Sequence, residues 1–336
     1  MNRTTPKRNG AIELLRFLFA LVIVLYHGRN IGGGSEHPLF GSFGYISVEF
    51  FFIVTGFLMA NSAARMENSS QSQVCLGEET VGFVWHKIKR ILPYYFLAVL
   101  ASIPFLFIGK NLGRREFVSR LMMSLWDIGF LGASGIKTYS VVRGGWYLSA
   151  MFISLLLLYP LLRKFKDCFT CVIAPLTAII LLGYISQTYG NLNQYIAEYT
   201  IVYSGILRAI AELCIGCICY GVYEKIHVKP FTQGARMIIS IFCIFGFLGV
   251  FLGAHLSSYP YFDFVLLLII AICTTLVFSK LGAVSRAKIF DHPFFSFLGE
   301  LGLVLYLNQF WVKSIITQNI SKSNGYQFML AVYVAA

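Results

Sequence analysis

Charge is what this chain has least of. Only 12% of its 336 residues are Asp, Glu, Lys or Arg, while 57% are hydrophobic and 16% aromatic, and the mean hydropathy is +0.71. That composition excludes an ordinary soluble domain. Acidic residues are scarcer than basic ones, 15 against 27, which leaves a formal charge of +12. The excess does not imply a nucleic-acid partner, because the cations gather mostly in loops on one side of successive apolar runs and so mark a lipid bilayer. A metal-binding histidine set is also missing. Cys168-x-x-Cys171 and Cys214-x-x-Cys217 fall in or beside apolar runs with nothing to complete a tetrahedral site, so they read as small apolar filler and no metal is expected. No small-residue cleavage site follows the first apolar run, which keeps Glu13, Arg16 and His27 within it. That run is expected to remain as a helix rather than act as a signal peptide.

What the chain does have is a series of apolar runs of about twenty residues, the length of a spanning helix rather than of a barrel strand. They lie near 12–29, 43–61, 88–108, 146–165, 169–188, 200–222, 236–256, 263–281 and 296–316, with a shorter tenth from about 327. The expectation is an all-α, polytopic membrane helix bundle of about ten helices forming a single domain over 1–336. With the N-terminus in the cytoplasm, Arg3, Lys7 and Arg8, then Arg65, Lys87, Lys89 and Arg90, then Arg163, Lys164 and Lys166 all face inward. The positive-inside rule supports that orientation in a plasma (inner) membrane. Most outward cations then fall between Lys110 and Arg143, around the partly apolar stretch LMMSLWDIGFLG. This segment reads either as a re-entrant wall of a substrate site or as an amphipathic helix on the membrane surface.

Ionisable residues inside the runs carry the functional argument, since a charge in a bilayer is costly to keep without a task. Arg16 and His27 are eleven residues apart, three helical turns with little angular drift, so they share a face and stand roughly 16 Å apart along the axis. Glu49 enters the second run at the depth of His27 and is expected to bond it, fixing its tautomer and raising its basicity. Gly56, seven residues further on the same face, allows close approach of a helix or ligand. Lys87, Lys89 and Arg90 cluster at the entrance of the third run, where they suit anionic headgroups or cofactor phosphates, and Pro93 is expected in the first helical turn. Arg208 and Glu212, four apart in the sixth run, can pair on one face.

These residues together resemble the acyltransferase-3 family of membrane acyltransferases. The likeness runs through Arg16-x10-His27, EFFFIVTGF, the Phe83/Lys87/Arg90/Pro93 entrance, GGWYLSAMF at 144–152, RAIAELCIG at 208–216 and LGELGLVLYLNQ at 298–309. Glu49 stands where the family more often has aspartate, Thr55 where it has serine, and Gln309 where many members carry histidine. The resemblance implies transfer of an acetyl or other acyl group from cytoplasmic acyl-CoA to a hydroxyl, usually of a cell-surface or lipid-linked saccharide, on the outer side. Acetyl-CoA would be a donor substrate, and the partners would be acyl-CoA, a saccharide acceptor and the bilayer. In that reading Arg16, Lys87, Lys89, Arg90 and Arg208 hold the donor, and His27 with Glu49 activates the acceptor, by direct attack or through an acyl-histidine. Trp146, Tyr147, Asn308 and Gln309 are candidates for substrate and oxyanion contacts. The competing class is a transporter or saccharide flippase, with Arg208 and Glu212 as a coupling-ion site; against it, the chain has neither an internal repeat nor helices broken at matching positions.

Overall fold

The computed structural model describes residues 8–29, 31, 44–67, 75–107, 113–136, 140–193, 203–256, 261–319 and 326–335. The glycine-rich loop at 32–43 and Lys110 lie outside them. Helix α1 (Gly10–Gly28) starts where the Asn9 side chain accepts from the Ala11 N–H, satisfying a donor that the first turn leaves unpaired. After a short 3-10 turn at Gly44–Ile46 come α2 (Ser47–Glu67), α3 (Leu76–Phe107), α4 (Arg114–Ile128) and α5 (Gly145–Lys164). A three-residue α6 (Lys166–Cys168) runs through a π-helical turn (Phe169–Ile173) into α7 (Ala174–Tyr189). Then follow α8 (Ser204–Ile226), α9 (Gln233–Leu256), α10 (Phe262–Phe278), α11 (Pro293–Asn319) and α12 (Tyr326–Ala335).

Among the described residues, six helical stretches are long and apolar enough to cross a membrane: 10–28, 44–67, 145–164, 166–189, 204–226 and 233–253. Helix α10 is shorter, at 17 residues, while α3 and α11 are long helices that carry more polar residues along their length. The result is an all-α polytopic bundle whose periphery is apolar. On α7 and α9, Ile179, Ile180, Ile238 and Phe245 are exposed, the pattern of helices that face lipid rather than protein.

The centre of the bundle is the α2–α8 pair. A Cβ at Gly56 would fall 2.2 Å from the Leu213 carbonyl oxygen, and one at Gly216 2.2 Å from that of Ile53. Only glycine lets these backbones touch, as in tightly crossed membrane helices. Rings fill the space beside them: Phe57 stacks on Phe278 at 3.8 Å between centroids and Phe19 on Phe50 at 4.3 Å. The second intimate pair is α1–α11, where Gly299 abuts Glu13 and Gly302 abuts the backbone of Arg16 and Phe17.

One expectation about an element needs correction. Pro93 is not in a first turn, because α3 begins at Leu76 and carries Pro93 and Pro104 inside its length, at the cost of a backbone bond each. The earlier start follows from Glu79, whose carboxylate takes Arg163 Nε and Nη2 at 2.6 and 3.0 Å and the Tyr159 hydroxyl at 2.6 Å. Arg163, and then Tyr159, hold its carboxyl below the usual range. The segment before α5 has two parts, a helix and an irregular stretch. Helix α4 exposes Val118, Leu121, Met122, Leu125 and Trp126 and buries only Ser124 and Asp127, as a surface amphipathic helix does. The irregular chain after it turns inward, burying Phe130, Ala133, Val141 and Val142.

Candidate active site

Helix α1 organises the site with one stripe of side chains. Arg16, Ile23 and His27 are spaced seven and four residues apart and so project from one face. Two cavities open along that stripe. The larger, about 670 Å³, has His27 in its wall, and the smaller, about 250 Å³, has Arg16. Ile23, Val48 and Tyr306 line both, so these three side chains form the partition between them. Tyr306 is held in place by donating its hydroxyl to the Gly144 carbonyl at 2.8 Å.

The Arg16 cavity is cationic at one end and apolar along its length. Arg16, Lys87 and Arg90 face it together with Phe51, Val54 and Leu148. Arg16 is steadied by Glu13 at 3.1 Å, and Lys87 lies over the Phe83 ring at 5.1 Å. Lys89 does not join them. It is exposed and leans over Trp85, itself half-exposed, at 5.6 Å, because two residues along a helix from Lys87 the side chain leaves on another face. Tyr147 lines this cavity and not the other.

The His27 cavity is polar and aromatic. Tyr26, Trp146 and Phe310 supply rings, and Asn193, Ser314, Thr317 and Gln318 supply hydrogen-bonding groups. The Phe310 ring packs on the imidazole at 4.7 Å, and the Lys313 ammonium bonds the His27 carbonyl. Part of the wall is the inward-turned chain that follows α4. Asp127 pins it by accepting from the Val141 N–H at 2.8 Å and the Val142 N–H at 3.4 Å, which delivers Arg143 and Gly144 to the cavity. Burial pushes the Asp127 carboxyl up to about 6, against the pull of those two N–H groups.

Glu49 is where the structure departs most from expectation. It does not orient His27: its carboxylate is bound by Arg208 through Nε at 3.0 Å and through Nη2. Arg208 also reaches Glu212 Oε1 at 3.3 Å and the Tyr45 carbonyl at 3.2 Å. All three charged side chains are buried. Glu49 shares the face of Gly56, and that face is turned to α8, so the carboxylate meets Arg208. Arg208 accordingly does not join Arg16, Lys87 and Arg90, with which the resemblance grouped it. It lines the His27 cavity rather than the Arg16 cavity, lies 5.8 Å from the Trp146 ring, and has two carboxylates on its guanidinium.

Asn308 and Gln309 line neither cavity. Asn308 donates to the Val304 carbonyl and accepts from the Trp311 indole at 2.7 Å. Gln309 donates to the Tyr306 carbonyl, and its buried Oε1 has no partner. From α11, Tyr306, Phe310, Lys313, Ser314, Thr317 and Gln318 reach the His27 cavity, and Gly299, Glu300, Gly302 and Leu303 join Tyr306 in the other. Sequence reasoning missed Lys313, although the rule that singled out Arg16 and His27 applies to it equally, as a cation within an apolar run. Arg29 and Arg143 were likewise missed, since they flank runs and carry no signal in isolation. Among the described residues no group of His, Cys, Asp and Glu is placed to hold a metal.

A family model described as an acyltransferase domain matches residues 9–336, essentially the whole chain. No curated protein and no solved structure matches it.

Proposed function

Because the chain belongs to the acyltransferase-3 family and is a multi-pass membrane acyltransferase, we propose that it transfers an acetyl or other acyl group from acyl-CoA to a hydroxyl of a saccharide. The donor enters the Arg16 cavity and the acceptor the His27 cavity. The observation that carries this reading is the shared partition: two cavities of opposite character abut across Ile23, Val48 and Tyr306. Phosphates suit Arg16, Lys87 and Arg90 as charge-assisted partners, and the apolar length beyond suits a pantetheine arm. The thioester then comes to the partition. His27 takes the proton of the acceptor hydroxyl as its oxygen attacks the thioester carbonyl. The new C–O bond replaces the C–S bond, and the proton passes to the departing thiolate, leaving an ester and free CoA.

The basic residues Arg8, Lys87, Lys89 and Arg90 support a cytoplasmic Arg16 end, by the positive-inside rule, and we propose the plasma membrane as the protein's location. The flippase alternative loses its main support, because Arg208 and Glu212 belong to a three-residue ion cluster with Glu49 and the family is one of acyltransferases. The test is purified protein in lipid, supplied with labelled acetyl-CoA and an acceptor glycan. His27→Ala is expected to lower transfer about a hundredfold or more with unchanged folded yield. Transfer at the wild-type rate by that variant would remove His27 from the mechanism.

A further inference from the structure

A third cavity belongs to neither substrate of the proposed reaction. It measures about 230 Å³ and shares no lining residue with the other two. On α1 its wall is Ala11, Leu14, Leu15 and Leu18, a helical stripe on the side of the helix away from Arg16, Ile23 and His27. On α9 it is a second stripe, through Ser240, Ile244, Phe247 and Phe251. The groove between the stripes opens outward, since Ile244, Leu248 and Val284 in its wall are exposed. Its two serines turn their hydroxyls to the protein. Ser240 donates to the Arg236 carbonyl at 3.0 Å and accepts from the Val284 N–H at 3.1 Å, and Ser285 donates to the Gly282 carbonyl at 3.0 Å. What the groove presents to an occupant is hydrocarbon.

Length and charge identify the occupant. From Ser240 to Phe251 the α9 stripe runs roughly 16 Å at the helical rise, close to the ~15 Å of one leaflet of a hydrocarbon core. The groove ends at the short turns Val284–Arg286 and Lys288–Asp291. From Lys280 to Asp291 the chain holds three exposed cations, Lys280, Arg286 and Lys288, against one acid, Asp291. Arg286 directly follows Val284 and Ser285 of the wall, and Lys288 stands two residues before Phe290, also of the wall. The positive-inside rule accounts for cations at this end of the bundle but not for an apolar slot that runs up to them. We infer that the groove binds an anionic phospholipid, with one acyl chain between α1 and α9 and the phosphate at Arg286 and Lys288. The leaflet is the one at the Arg16 end, because Gly10 at the start of α1 abuts the Phe290 backbone. Such a chain packs on Phe247 and Phe251, whose rings meet Phe19 of α1 at 5.9 and 4.9 Å. Bound lipid therefore braces the helix that carries Arg16 and His27.

The experiment titrates delipidated full-length protein in detergent with three probes and counts adducts by native mass spectrometry. The probes are phosphatidylglycerol, phosphatidylcholine with the same chains, and glycerol 3-phosphate, which has the anion but no chain. Phosphatidylglycerol is expected to bind at one site about tenfold or more tightly than phosphatidylcholine, a margin that shrinks as salt is raised. It is also expected to raise the thermal midpoint, as a ligand of the folded state does. Equal affinity for the two phospholipids overturns the inference, and so does glycerol 3-phosphate binding as tightly as the lipid. Leu248→Trp fills the slot from its exposed side and is expected to weaken both phospholipids severalfold. Arg286→Gln combined with Lys288→Gln is expected to remove the preference for phosphatidylglycerol while sparing phosphatidylcholine. Binding unchanged by Leu248→Trp, or a preference unchanged in the double variant, would show the cations to be an anchor without a site. The comparison of probes on the wild type needs no variant and no turnover, so it decides even where Leu248→Trp fails to fold, and independently of the proposed reaction.

Discussion

At the residue scale, two substitutions separate cations that the sequence presents as one cluster. Arg90 lines the Arg16 cavity and Lys89 stands outside it over Trp85. Arg90→Ala should weaken acyl-CoA binding by an amount equivalent to roughly 1.5–3 kcal/mol, the range for a bond to a charged group, whereas Lys89→Ala should leave it unchanged. Calorimetric titration of both variants checks this, and equal losses would mean that the cluster acts as a diffuse field. Glu49 calls for a different measurement. Its carboxylate is buried against Arg208, and removing one member of such a cluster strands the others. Glu49→Ala should therefore lower stability by about 3–5 kcal/mol, seen as a fall in the thermal midpoint of detergent-solubilised protein. A variant with wild-type stability and a selectively slowed reaction would restore Glu49 to the chemistry. That Arg16, His27, Lys87 and Arg90 face cavities was legible because a helical period places them on faces and a bilayer makes their charge costly. The partner of Glu49 was not legible. Depth alone matched it to His27, but the rotation of α2, marked by Gly56 on the same face, turns it to α8.

At the scale of elements, the site depends on helices meeting at backbone distance. Gly56 and Gly216 set the α2–α8 contact, and one to two turns away that contact holds the Glu49–Arg208–Glu212 cluster in the cavity wall. A methyl at Gly56 would meet the Leu213 carbonyl, which cannot move as a flexible side chain does. Gly56→Ala is therefore expected to cost about 1–3 kcal/mol, the range for overpacking a tight core, and to lower activity with it. Thermal unfolding and turnover measured together check this, and an unchanged midpoint would show that α2 and α8 have room to separate. Most spans could be read from run length. The boundaries of α3 could not, because its first turns carry Glu78, Glu79 and Lys87 and gain their stability from Arg163 and Tyr159 on α5 rather than from apolar burial. The wall after α4 is a similar case. Its irregular backbone is specified by one buried carboxylate, Asp127, on Val141 and Val142, a long-range bond that no local pattern announces.

At the scale of the whole molecule, the central claim is that donor and acceptor approach from opposite ends of the bundle and meet across Ile23, Val48 and Tyr306. Both ends carry cations, Arg16, Lys87 and Arg90 at one and Arg29, Arg143 and Lys313 at the other, and what distinguishes them is the apolar length of the first cavity against the polar and aromatic lining of the second. Family membership fixes the reaction class but not this sidedness. The most direct measurement is made in sealed proteoliposomes, where neither acetyl-CoA nor a soluble acceptor glycan crosses the bilayer. Protein inserted in either orientation should acylate the glycan when it is trapped in the lumen and acetyl-CoA is added outside, since one population then has its Arg16 end facing the donor. With both substrates added outside and none in the lumen, no acylated glycan should form until the vesicles are permeabilised. Product formed at full rate from substrates on the same side of intact vesicles would contradict the account.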